Sequence, residues 1–282
     1  MKLLFSPKCL EYRFSSHPES PERVSETARH LKESYKISKP SPAREEQVLL
    51  AHTKGLLTKV ATGRFHDPDT PSMPEMYGYA CLSAGSAIRA AQTCAKEGFA
   101  FSLMRPPGHH AGHDFLGGFC YFNNIAIAIK AVQEKNGMRI AILDIDCHFG
   151  NGTQDIFLGA GDVLCVSLHQ RGIFPGTGLC SQGNCINFPL DQGTGEQEYL
   201  AVLSKAISLI EKFKPDMLGI SAGFDTYELD PLCGLCLKKT SYAKIGQAIK
   251  PMGVPCFGVF EGGYSDDVKY CVEGFLQGVE RR

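Results

Sequence analysis

The sequence lacks a surplus of charge of either sign. Its 29 lysines and arginines meet 30 aspartates and glutamates, the formal charge is −1, and no basic block interrupts the mixture. Direct nucleic-acid binding is therefore not expected, since gripping a phosphate backbone takes a concentrated positive face. Long apolar runs are also missing. None approaches the roughly 18 residues that suggest a membrane span, so no membrane association is expected. Met1 to Leu10 holds only a short apolar patch with an early Pro7, which does not read as a secretory leader. Internal repeats, low-complexity tracts and long linkers are absent as well.

What remains is ordinary globular material with two unusual ingredients. Hydrophobic residues make up 43% and charged residues 21% of 282 positions, enough for a sizeable core in one large α/β domain or two small ones. The first unusual ingredient is cysteine. The twelve cysteines are scattered, and Cys165 and Cys256 sit inside apolar, strand-like runs. That distribution suggests reduced, buried thiols in a cytoplasmic protein. Cys233 and Cys236 have CxxC spacing, and Cys180 and Cys185 form another close pair. A four-thiolate zinc site is the alternative use for them, although neither pair has a zinc-ribbon context.

The second ingredient is polar residues placed after apolar runs. Strands are expected at 99–104, 139–144, 163–168, 216–221 and 254–260. Helices are expected at 20–36 (Ser20 as N-cap, Pro21 at the first helical position), around 44–60, and at 77–97, 122–135, 196–213, 240–250 and 266–279. Such alternation predicts an α/β fold, a mostly parallel sheet with helices on both faces, forming one domain over 1–282. In that architecture a ligand site lies beyond the carboxyl ends of the strands. There the sequence places His109 and His110, Asp144 to His148, Ser167 to His169, Asp225, and Glu261 to Tyr264.

The stretch at 139–153 organises the rest. Its apolar run ends in Asp144, Asp146 and His148, which share a face if the extended geometry persists. Burying two carboxylates and an imidazole together is costly without a partner, and a divalent cation is the simplest one. Asp225 can supply a third ligand beside Asp146 and His148, or serve as a turn or N-cap residue. Two carboxylates and one imidazole leave a tetrahedral zinc with an open position. Arg105 to His110 offers two adjacent histidines on a proline-stiffened loop, with Asp144 and Asn151 as the unused orienting groups. A carboxylate raises the proton affinity of one imidazole more than a neutral amide raises that of the other, which suits a base and an acid in one cycle. Tyr264 follows Gly262 and Gly263; it is either a packed turn residue or a hydroxyl donor to a developing oxyanion.

At this point the chain resembles the histone deacetylase and acetylpolyamine amidohydrolase family, within the arginase–deacetylase fold. The matching stretches are HPESPER (17–23), RPPGHHA (105–111), GGFCYFNN (117–124), DIDCHFGNGT (144–153), SLH (167–169), FPGTG (174–178), SAGFD (221–225), DPL (230–232) and EGGY (261–264). They come in the family's order and span nearly the whole chain; the RPPGHHA and NGT forms are closer to class II and bacterial branches. The resemblance implies zinc on Asp146, His148 and Asp225. It implies a tandem catalytic pair, His109 supported by Asp144 and His110 supported by Asn151, with Tyr264 polarising the amide carbonyl. Phe119 and Phe174 would wall an acyl-lysine-width tunnel, Gly118 would bond the substrate amide, and Leu232 would sit at the rim. It also implies a structural potassium ion held by Asp144, Asp146, His148, Ser167 and Leu168. Arg23 would lie by the inner pocket or form an ordinary helix ion pair.

The departures are specific. Phe149 replaces a second histidine after the zinc histidine, Cys147 precedes that ligand, and both are expected to be packing residues. DPLCGLC replaces the usual DPLGG at the rim, and the long insertions of bacterial polyamine enzymes are missing. The implied reaction is zinc-dependent hydrolysis of an N-acyl amide, most simply acetyl-lysine in a peptide or protein. A small acylated amine such as an acetylpolyamine is the alternative, with Asp67, Asp69 or Glu75 as its source of negative charge, and longer acyl groups stay open. A guanidine hydrolase would need more metal ligands, and a catalytically dead reader would not need the full set.

Overall fold

The computed structural model describes residues 1–280. Eight parallel strands form one sheet: β1 (Lys2–Leu4), β2 (Ile37–Ser38), β3 (Phe99–Ser102), β4 (Ile140–Asp144), β5 (Val163–Gln170), β6 (Cys185–Leu190), β7 (Met217–Ala222) and β8 (Cys256–Phe260). Their spatial order is β2-β1-β3-β8-β7-β4-β5-β6, and every neighbouring pair is parallel. All carboxyl ends therefore share one edge. β4 lies between β7 and β5, and its last residue, Asp144, is in register with Ser221 and Ser167.

Among the described residues nine α-helices cover the two faces: α1 (Pro21–Leu31), α2 (Glu45–Val48), α3 (Lys54–Thr62), α4 (Met76–Glu97), α5 (Asn124–Asn136), α6 (Asn151–Phe157), α7 (Glu196–Phe213), α8 (Lys239–Ile249) and α9 (Val268–Glu280). Strand alternation divides the core. In β4, Ala141 and Leu143 belong to the core shared with α1, α7, α8 and α9, while Ile140 and Ile142 belong to the core shared with α3, α4 and α5 on the other face. None of the described helices is long and apolar enough to cross a membrane. The α/β, all-parallel architecture follows the sequence expectation. All five expected strands are present; β1, β2, β6 and α6 are additional.

One buried ion cluster joins the amino-terminal segment to the sheet edge. Arg105 donates to both oxygens of Glu19 (Nε to Oε1 2.8 Å, Nη2 to Oε2 2.7 Å) and to the carbonyls of Cys9 and Tyr12. Its guanidinium lies 3.5 Å from the Tyr12 ring centroid, and Tyr12 donates its hydroxyl to Glu19. Burial pushes the Glu19 carboxyl up, but Arg105 and Arg23 outweigh it and hold the pKa below the ordinary glutamate value.

Removing one partner of a buried pair leaves an uncompensated charge, so Arg105→Met should cost about 3–5 kcal/mol in urea unfolding. Because the Glu19 pKa is depressed on folding, its contribution is full above the ordinary glutamate value and fades as pH falls through the folded one. The stability curves of wild type and variant should converge in acid; a constant gap would remove the ion pair as the cause.

Candidate active site

The strand does not stay extended past Asp144. The backbone bends through residues 146–148, so Asp144 leaves the set that Asp146 and His148 form. This corrects the shared face expected from period-two alternation. Asp225, just beyond β7, completes the group instead: ligand atoms of Asp146, His148 and Asp225 lie within 4.8 Å of one another. His148 Nδ1 is 2.8 Å from Asp225 Oδ2 and 3.2 Å from Asp146 Oδ1. Backbone N–H groups aim the carboxylates. Gly262 and His148 donate to Asp146 (2.7 and 2.8 Å), and Cys147 donates to Asp225 (2.8 Å). A Cβ at Gly223 would collide with Asp146, and one at Gly262 with both acids. Glycine is required at both positions by close approach.

Two adjacent histidines stand over this group, each with its own partner. His109 Nδ1 meets Asp144 Oδ2 at 3.0 Å, and His110 Nδ1 meets Asn151 Oδ1 at 2.8 Å. Their rings are 4.0 Å apart, tilted by 46°. For His109 burial opposes charge, yet Asp146 and Asp144 prevail and push its pKa up to about 10. For His110 burial comes first and the neighbouring His109 and His148 act the same way, so its pKa falls well below the ordinary value. The two imidazoles are thus split in proton affinity, as their unlike partners suggest.

A cavity of about 250 Å³ opens onto these groups. His110, His148 and Tyr264 line it, with Gly118, Phe119, Ile173, Phe174 and Leu232 as walls and Asp69 beside them. Phe119 stands at 5.7 Å from the Tyr264 ring and Phe174 at 4.9 Å from the His110 ring, both edge-on. Gly118 and Phe119 have φ of +54° and +68°, and a Cβ on Gly118 would strike His110 and Phe174. Of the three acids considered for a rim charge, Asp69 reaches the cavity wall while Asp67 and Glu75 are not among its lining residues.

Arg23 forms the expected helix ion pair and reaches further. It ion-pairs with Glu19 and donates to the carbonyls of Gly263 and Glu261, and its guanidinium lies 4.4 Å from the Tyr264 ring centroid. Three site contributors were missed. Ile173 lines the wall next to the predicted Phe174. Glu261 accepts the backbone N–H groups of Gly108 and His109 (2.6 and 3.2 Å). Asp230 accepts those of Leu232 and Tyr264 (3.0 and 2.6 Å). The EGGY and DPL stretches flagged the last two without revealing what they hold.

The cysteines require a correction. Cys147 and Cys233 are joined by a disulfide, so they are not reduced thiols and Cys147 is more than a packing residue. Cys165 and Cys256 are free and buried as expected. Because Cys233 bonds Cys147, the CxxC pair is not available for a four-thiolate site; the three residues above are the one candidate metal group among the described residues. Their donor set suits a divalent ion: two buried carboxylates and one imidazole, with the cavity reaching His148.

Comparison with known proteins agrees with this geometry. The histone deacetylase domain model matches residues 17–279. A probable deacetylase of Methanothermobacter thermautotrophicus is 37% identical over 286 residues, 95% of this chain and 86% of that one. Acetylpolyamine amidohydrolase 1 of Pseudomonas aeruginosa is 41% identical over 197 residues, 64% of this chain and 56% of its own. The crystal structure of an acetylpolyamine aminohydrolase from Burkholderia pseudomallei superposes with a TM-score of 0.91 at 26% identity, covering 99% of this chain and 98% of that one.

Metal uptake should depend on pH. His148 is held well above the ordinary histidine pKa by Asp146 and Asp225, which prevail over burial, and burial followed by Asp146 pushes Asp225 up to about 7. A cation must displace those protons, so affinity should rise by roughly tenfold per pH unit for each proton released. Chelator competition at pH 6 and 8, corrected for chelator protonation, should show weaker retention of an added divalent metal at pH 6. Equal retention would mean that the group binds metal without losing protons.

Proposed function

The chain belongs to the histone deacetylase family, and from that premise we propose that it hydrolyses an N-acyl amide, most simply N-acetyl-lysine in a peptide or protein, to free amine and acetate. The supporting observation is the convergence of His110, His148 and Tyr264 on one cavity walled by Phe119 and Phe174. Two aromatic walls admit a slender acyl-alkyl chain, and the polar groups lie where its carbonyl would arrive.

Zinc on Asp146, His148 and Asp225 would supply Lewis acidity to the carbonyl and acidify a water. Tyr264 donates its hydroxyl to the carbonyl oxygen as charge develops there. Arg23 packs on its ring, and Asp230 holds its backbone. His110, kept neutral by burial and facing the cavity, takes the proton from the attacking water. His109, buried behind it with Asp144, keeps a positive charge close to the reacting centre. The leaving amine receives its proton from this pair. The Gly118 backbone bonds the substrate amide, and Leu232 borders the mouth. A structural potassium ion on Asp144, Asp146, His148, Ser167 and Leu168 would brace the same strand ends, where Asp144 and Ser167 are already in register.

Acetylpolyamines are the second candidate substrate, and Asp69 favours them. It places a carboxylate on the cavity wall, able to hold a distant ammonium, whereas Leu232 at the rim is apolar. A two-manganese guanidine hydrolase fits less well, because the one metal group among the described residues has three ligands.

An acetyl-lysine peptide and acetylspermidine, assayed side by side, separate the substrates. The peptide should be preferred, and Asp69→Asn should lower kcat/KM for acetylspermidine more than for the peptide. The reverse preference would make the polyamine the substrate. Loss of a single oxyanion donor typically costs about 3–4 kcal/mol, so Tyr264→Phe should reduce turnover by roughly two to three decades with the far-ultraviolet dichroism unchanged. Unimpaired turnover would remove Tyr264 from the reaction.

A further inference from the structure

The Cys147–Cys233 disulfide lies where two parts of the site meet. Cys147 stands between Asp146 and His148 and is fully buried. Its N–H donates to Asp225, and its carbonyl accepts from the Gln170 N–H at 2.8 Å. Cys233 directly follows Leu232 of the cavity wall and is half-buried. The bond spans 86 positions of sequence with the Cα atoms 6.4 Å apart, inside the span that a disulfide bridges. Gln170 reinforces the junction: its Oε1 accepts the Gly234 N–H at 2.7 Å and lies 3.5 Å from Cys233 Sγ. One covalent link thus ties the wall segment to the segment that supplies two of the three metal-holding side chains.

We propose that Cys147 and Cys233 are a reversible dithiol–disulfide site, exchanging with a low-molecular-weight thiol and its disulfide, and that its state sets how firmly the Leu232 wall and the metal-holding segment are held. Entry is at Cys233, because Cys147 has no exposed surface. In oxidation the Cys233 thiolate attacks the small disulfide and expels one thiolate. The Cys147 thiolate then attacks Cys233 Sγ in the mixed disulfide and expels the second. Two electrons pass from the protein pair to the small disulfide, one S–S bond breaks as another forms, and the two protein protons go to the released thiols. Reduction is the reverse sequence. The exposed Cys236 thiol, three positions on, is free and outside the bond, so it serves as a control.

The kinetic consequence rests on the amide-hydrolysis reading; the chemical one does not. The zinc-loaded enzyme is equilibrated in glutathione buffers running from fully reduced to mostly disulfide, quenched with an alkylating agent and mapped by peptide mass. Cys147 and Cys233 should lose alkylation together and without a glutathione adduct as the buffer becomes oxidising, whereas Cys236 should lose it only as a glutathione mixed disulfide. Reduced enzyme should surrender zinc to a chelator several-fold faster. Its KM for an acetyl-lysine peptide should be several-fold higher, with kcat within about twofold. Cys233→Ser should match reduced wild type in zinc release and KM in every buffer, and Cys236→Ser should respond as wild type does. Full alkylation of both residues in every buffer would overturn the proposal. So would a disulfide that forms without altering either zinc release or KM, or a response that persists in Cys233→Ser. If no acyl amide is hydrolysed, the activity reading fails, while mass mapping and zinc release still decide the thiol site. Both are read on wild type, so they stand even if Cys233→Ser does not fold.

Discussion

Two carboxylates, Asp146 and Asp225, are held fully buried and close together at the mouth of a parallel sheet, and the surrounding structure answers to that constraint. Like charges in a low-dielectric setting repel strongly, and burial alone would neutralise one of them. The chain meets this with three backbone N–H donors, from Cys147, His148 and Gly262, and with one imidazole. Those donors reach the acids only because Gly223 and Gly262 carry no side chain there. The acids therefore fix the approach of three separate strand-end segments, and an arriving cation finds a set that is already oriented.

The same constraint shapes the electrostatics around it. The buried negative charge raises the proton affinity of His109, while burial first and then the neighbouring His109 depress that of His110. Adjacent rings 4.0 Å apart are thereby driven to opposite protonation states by their surroundings. Burial lowers both, and the unlike partners oppose it unequally: the carboxylate on His109 helps to overcome burial, whereas the amide on His110 does not. The division of labour in the pair is a property of the neighbourhood, not of histidine itself.

Much of this was legible in the sequence, for reasons visible in individual residues. The run Ile140 to Leu143 is buried on both faces, so it reads as a strand without ambiguity, and its polar continuation marks the ligand edge. Other features were hidden. β6 carries Pro189 and alternates only partly, and β1 and β2 are three and two residues long. Gly150-Asn151-Gly152 looks like a pure turn, yet Asn151 begins α6, because helix entry needs no more than a sharp bend followed by acceptable dihedrals. Motif matching singled out the residues that crowd the cavity, since their chemistry is unusual wherever it occurs. The Cys147–Cys233 bond could not be read, because pairing across 86 positions is decided by the fold and not by spacing. The jobs of Glu261 and Asp230 were equally silent: an acid that accepts backbone N–H groups looks in sequence like any other acid.

Arg23 lies on the first long helix, and Tyr264 lies just after the last strand, 241 positions later. The guanidinium that covers the phenol ring also grips the carbonyls of Glu261 and Gly263. The reactive face is thus stitched from two segments far apart in sequence. A cut that freed α1 from the sheet would leave the central strands in place and unmoor the phenol, so that helix belongs to the reacting surface as much as to the scaffold.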